Sequence, residues 1–222
     1  MRLELGKPVR CSGDVAGEVA DLVVDPVKNR VTHLVVKPRH GTGAPHLVPI
    51  ELVDAAAEGS DVVLTCTPEE LERLPPAEQF GYLRLGEKPP ADPDWDIGVV
   101  TPLALPYYEG SALDGYASGF GQDLGVIYDR VPKGEVEVRR SSSVITTDGK
   151  YVGDVDGFLV DDDQITHFVL ERGHLWGRRE VTVPIGAVAK VESDKVTVKL
   201  STDEIGALPA HRVHRWPLAR DK

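Results

Sequence analysis

The sequence predicts an all-β protein built from two similar halves. Three observations predict it. The same succession of short blocks occurs twice, the blocks are rich in β-branched and apolar residues, and Gly, Asp, Asn and Pro turn signals separate them. Residues 17–25 (Gly-Glu-Val-Ala-Asp-Leu-Val-Val-Asp) match 153–161 (Gly-Asp-Val-Asp-Gly-Phe-Leu-Val-Asp), and residues 31–36 match 165–170. Residues 47–50 match 182–185, Leu52 and Val53 match Ala187 and Val188, and 62–64 match 196–198. The offset stays between 134 and 136, with the small insertions in turns.

Taken in order, each half reads as short strands. Gly13-Asp14 and Asp148-Gly149 are turn signals, because Gly and Asp suit backbone with positive φ. A longer turn at 25–30 is shortened to 161–164 in the second half. The runs 31–36 and 165–170 are largely β-branched and apolar, the pattern of a strand covered on both faces, as in a small barrel. Both halves end in a capping box, Thr67-Pro68-Glu69-Glu70 and Ser201-Thr202-Asp203-Glu204, which predicts a short terminal helix. Each helix then stops at a leucine–proline pair, Leu74-Pro75 or Leu208-Pro209.

The net charge of −11 is spread along the chain: −4 over residues 1–75, −6 over 76–135, −4 over 136–210 and +3 over the tail 211–222. Nucleic-acid binding draws on a basic face that releases counterions, and neither β-rich half has one by composition, so nucleic acid is an unlikely partner. No apolar run is long enough for a membrane span, and the first residues lack a secretory apolar core. Two cysteines, Cys11 and Cys66, are too few for a disulfide framework, so the expected location is the reducing cytoplasm.

The pattern Gly-x-Val-x-x-Leu/Phe-Val/Leu-Val-Asp, a Thr-His-apolar strand and Val-Pro-Ile resembles the PRC-barrel domain. That small β-barrel occurs in the cytoplasmic part of the photosynthetic reaction-centre H subunit and in the C-terminal domain of a ribosome maturation factor. The resemblance covers about residues 3–75 and 138–210, and the stretch 171–181 around Trp176 is similar to stand-alone bacterial members. It implies two barrels in tandem, each with a short C-terminal helix, and a mode of action by docking against other proteins. The expected organisation is barrel 1 at 1–75, a Pro- and aromatic-rich connecting strap at 76–137, barrel 2 at 138–210 and a basic tail at 211–222. The copies are expected to pair with pseudo-twofold symmetry, in one monomer or in a homodimer.

The segment 76–135 holds 8 of the 13 aromatic residues, which argues against a disordered linker. Either it straps across both barrels and buries its rings, or Trp95 with Tyr107 and Tyr108 forms an exposed anchor for a partner. Arg172, Arg178 and Arg179 beside Trp176 form the best basic cluster in the barrels, where Glu171 and Glu180 offer pairing within the hairpin. His33 with His167 and His40 with His174 lie at matching or nearby positions, but their spacing lacks a third metal ligand. Asp161-Asp162-Asp163 lacks the Gly and Glu of a calcium loop and reads as a solvated turn. No catalytic motif is present, and no cofactor or metal site is expected. The expected function is a non-catalytic protein–protein adaptor with an unidentified protein partner. The alternatives are an RNA- or ribosome-associated assembly factor, and a metal- or ligand-binding protein.

Overall fold

The computed structural model describes residues 1–39, 43–57, 61–84, 88–102, 123–139, 142–172, 179–192 and 194–212. The protein is mostly β. Its first part contains β1 (Arg2–Glu4), β2 (Pro8–Cys11), β3 (Asp14–Asp25), β4 (Arg30–Pro38), β5 (His46–Pro49), β6 (Val62–Leu64) and helix α1 (Pro68–Leu71). Three further strands follow: β7 (Glu78–Arg84), β8 (Trp95–Pro102) and β9 (Asp123–Pro132). The last part holds β10 (Val136–Arg139), β11 (Ser143–Thr146), β12 (Tyr151–Asp161), β13 (Gln164–Arg172) and β14 (Arg179–Pro184). It ends with β15 (Val188–Glu192), β16 (Lys195–Val198), helix α2 (Thr202–Ala207) and β17 (Ala210–Arg212).

Fourteen strands form one sheet, and β4 meets β13 at its middle. Outward from that junction the order is β4-β3-β2-β6 on one side and β13-β12-β11-β16 on the other. The details also correspond. β2 pairs β6 in parallel, Val9 opposite Val62, as β11 pairs β16, Val144 opposite Val196. Bulges fall at Ala20 in β3 and at Asp156 in β12, between the paired positions Val19 and Asp21 and between Val155 and Gly157. The glycines that open the two longest strands have one role. A Cβ on Gly17 would stand 2.3 Å from the Lys37 carbonyl oxygen, and one on Gly153 would stand 2.2 Å from that of Glu171.

The junction is held by reciprocal hydrogen bonds, Val31 N–H donating to Asp163 O (3.1 Å) and Ile165 N–H to Asn29 O (2.8 Å). Arg30 also reaches Asp163 at 3.4 Å, so the acidic turn 161–163 takes part in joining the halves.

A second connection is an exchange of strands. β1 leaves the first part to pair with β12, placing Leu3 opposite Phe158. β10 precedes the second part yet pairs with β3, placing Val138 opposite Leu22. All four side chains are buried, and one continuous hydrophobic cluster runs from Leu3 to Ile205. Sequence alone suggested a separate interior for each half; the shared cluster differs from that expectation because each half lends its first apolar strand to the other.

The capping boxes form as expected. Glu70 N–H donates to Thr67 Oγ1 (3.3 Å) while Thr67 N–H donates to Glu70 Oε2 (2.8 Å), and Ser201 with Glu204 repeats both distances. Each helix is short and buries one anchor, Leu71 or Ile205.

The segment expected as a strap contains the three-stranded antiparallel sheet β7-β9-β8. Its contact with the large sheet explains why Leu34, Val35 and Val36 are apolar in succession. Val31, Leu34 and Val36 join the main core, whereas Val35 joins Val23, Leu47, Ala77 and Val131 in a second cluster beneath the small sheet. Arg130 N–H donating to Ala77 O (2.7 Å) and Ala77 N–H to Pro45 O (2.7 Å) continue the attachment. Among the described residues, no helix is long and apolar enough to cross a membrane.

Candidate functional site

Side chains alternate across a strand, so one face of the small sheet carries Glu78, Phe80 and Tyr82 from β7 with Ile127 and Asp129 from β9. Between this face and the large sheet lies a cleft of about 910 Å³. Val35, Ala20 and Val155 give it apolar wall, and Phe80, Ile127 and Thr101 line it from the small sheet. Both bulges contribute, because Ala20 and Asp156 are turned toward the cleft.

The lining is acidic. Asp21, Glu78, Asp129 and Glu137 stand on one side, and Asp154, Asp156 and Glu171 on the other, against only Lys37 and Arg139 among the described lining residues. The register makes the crowding unavoidable, since Glu78 lies directly opposite Asp129 across β7 and β9. Arg139 neutralises part of it. Its Nη2 donates to Asp129 Oδ2, while its Nε sits 3.6 Å from Glu137 Oε2, beyond hydrogen-bond reach. Neither Glu137 Oε2 nor Arg139 Nε makes a hydrogen bond with the described residues, although Glu137 is only 4% exposed.

Burial pushes the Glu137 carboxyl up to about 8, helped by the charges of Asp129 and Asp21 and opposed by Arg139. Burial and the neighbouring Asp129 also raise Glu78. The Glu137 value in the folded protein lies above its ordinary value of 4.5, so folding takes up a proton between the two. Its contribution is therefore most favourable below the ordinary value and is lost as pH rises through about 8. Urea denaturation is expected to show stability falling across that window by at most about 1.4 kcal/mol per pH unit, and Glu137→Gln is expected to flatten the slope. An unchanged slope in the variant would assign it to other groups.

A carboxyl that holds its proton near neutrality can donate a hydrogen bond, and once ionised it is a counter-ion for a cation. Phe80, which lines the cleft, meets Tyr82 edge to face with centroids 4.9 Å apart, and the two are 51% and 71% exposed.

The residues singled out from sequence fall elsewhere. Trp95, at the start of β8, is half-buried against the second cluster, with the Arg130 guanidinium 4.3 Å from its ring centre. Arg172 and the exposed Arg179 face each other across β13 and β14. Glu180 accepts from Arg2 of β1, and so serves the strand exchange. Trp176, Arg178, Tyr107, Tyr108, His40 and His174 lie outside the described residues. His33 and His167 each rest 3.1 Å from the hydroxyl of the preceding threonine, and His33 also lies 3.6 Å from Glu135. Among the described residues no cluster of His, Cys, Asp and Glu is arranged to hold a metal ion.

Sequence reasoning missed the cleft. Its carboxylates come from six strands and share no spacing; the one local signal was the alternation of Glu78, Phe80 and Tyr82.

No curated protein matches the chain. The family model of the PRC-barrel domain matches residues 140–205, which span β11 to β16 and most of α2, in agreement with the resemblance read from the sequence.

Proposed function

We propose that the chain carries two PRC-type barrels in tandem, at 1–75 and 138–210, and acts as a non-catalytic cytoplasmic adaptor that docks a partner protein at the cleft. The matching strand orders, parallel pairs and bulge positions support the tandem reading. They also support a pseudo-twofold relation between the copies, the arrangement of a dimer of single barrels made within one chain. The connecting segment then holds a small sheet packed on barrel 1.

The observation that carries the adaptor reading is the exposed aromatic pair of Phe80, on the cleft wall, and Tyr82 against it. Large aromatics left in water beside a concave, partly apolar surface are the usual anchors of protein contacts. The acidic lining disfavours phosphate, which weighs against the RNA-associated reading. The neighbouring thiols of Cys11 and Cys66, with sulfurs 3.7 Å apart, suit a reducing compartment.

The test is quantitative capture from native lysate by wild type, by Phe80→Ala with Tyr82→Ala, and by Trp176→Ala. The double variant is expected to lose at least tenfold of one specific protein, because paired aromatic anchors carry about 2 kcal/mol or more. Equal recovery by wild type and the double variant would overturn the reading, and loss only with Trp176→Ala would move the contact to the hairpin.

A further inference from the structure

We propose that the cleft recognises an arginine side chain carried on a basic segment of the partner, with Glu137 as counter-ion and Phe80 and Tyr82 flanking the entry. This rests on the adaptor reading and names the chemistry of the same site. Two independent observations carry it besides the number of carboxylates. Glu137 is buried to 4% exposure and lines the cleft, and its Oε2 accepts no hydrogen bond from the described residues, its ion pair with Arg139 Nε being 3.6 Å long. An unsatisfied buried acceptor is costly, so a donor brought by a ligand removes that cost. The second observation is the aromatic pair, since a cation approaching a negative site is also attracted to ring faces at its entrance.

A guanidinium fits better than an ammonium. It forms forked hydrogen bonds with carboxylates, stacks on aromatic rings and sheds its weaker hydration more readily. Glu78 with Asp129, and Glu137 with Asp21, all on the same side of the cleft, offer that fork more than one acceptor. Arg139, held by Asp129, already shows how the site accommodates a guanidinium.

Proton balance follows from the raised Glu137. In the free protein near neutrality its carboxyl carries a proton; arrival of the cation leaves the carboxylate paired with it and sends the proton to the buffer. The groups that set this exchange are Asp129 of β9, Glu78 of β7, Asp21 of β3, Lys37 of β4 and Arg139 of β10. Asp154 and Asp156 of β12 and Glu171 of β13 form the opposite wall. Affinity therefore rises with pH by up to about tenfold per unit below 8 and levels off above it.

The experiment is calorimetric titration of the full chain with a terminally blocked pentapeptide carrying two arginines, in phosphate and in Tris at pH 7. Wild type is expected to release about nine-tenths of a proton on binding. Glu137→Gln is expected to release none and to bind at least about tenfold more weakly at pH 8.5, while the lysine version of the peptide binds wild type more weakly. Glu51→Gln removes the same charge at an exposed site and is expected to behave as wild type. Equal affinity in all three proteins, or no proton release by wild type, overturns the proposal and leaves only attraction to a net negative surface. If the aromatic double variant still loses its captured protein in that case, the adaptor reading stands. If the arginine peptide behaves as expected but capture is unchanged, the adaptor reading falls and the cleft chemistry stands.

Discussion

Leu3→Ala is expected to lower the stability of the whole chain by about 3 kcal/mol, within the range of about 2–5 for a buried leucine. Leu3 is fully buried, lies opposite Phe158 and is enclosed by core from the second half. Its neighbours are tied to the same strand, since Leu5 N–H donates to Asp156 O (3.0 Å) and the Met1 ammonium to Val160 O (2.6 Å). Gly157 makes the approach possible: a Cβ there would stand 2.3 Å from the Leu3 carbonyl oxygen, so Gly157→Ala attacks the same seam from the other side. Urea denaturation followed by tryptophan fluorescence and by circular dichroism should give one shifted transition in both signals. Val27, 85% exposed, provides the control substitution with no expected change. A loss below about 0.5 kcal/mol for Leu3→Ala would mean that β1 does not cover the core.

Arg139→Leu is expected to cost about 3 kcal/mol at pH 8.5 and clearly less at pH 5. The substitution leaves Asp129 and Glu137, both buried, without the cation between them. Removing one member of a buried ionic group is costly because the charge left behind is neither hydrated nor paired. Lowering the pH lets Glu137, already pushed up to about 8 and held down from a higher value by Arg139, take up a proton, so the deficit relative to wild type shrinks as pH falls. Urea midpoints at the two pH values measure it. A deficit independent of pH would locate the loss in packing of the arginine stem, which also shields apolar surface.

What was legible in the sequence was local. Thr67 and Ser201 precede Glu70 and Glu204 by three residues, and a capping box needs nothing further than that spacing. Leu34, Val35 and Val36 announced cover on both faces, because consecutive apolar residues gain only when neither side meets water. The exchange of β1 and β10 was not legible. Leu3 and Val138 look alike whichever sheet receives them, and the choice is made by Phe158, Leu22 and the absent side chain of Gly157. The small sheet was hidden for another reason: β8 and β9 are separated by twenty residues, too far for a hairpin signature, and Pro89, Pro90 and Pro93 separate β7 from β8. The acidic cleft combines both difficulties, since its carboxylates meet only after distant strands have found their register.

The reciprocal loan of strands makes the two halves mutual hostages. Severing the backbone between them would not set them free, because each piece would still be clasped by a strand belonging to the other. Mechanical load or dilution would have to unzip two ladders together, and a chain so interlocked yields as a unit or not at all.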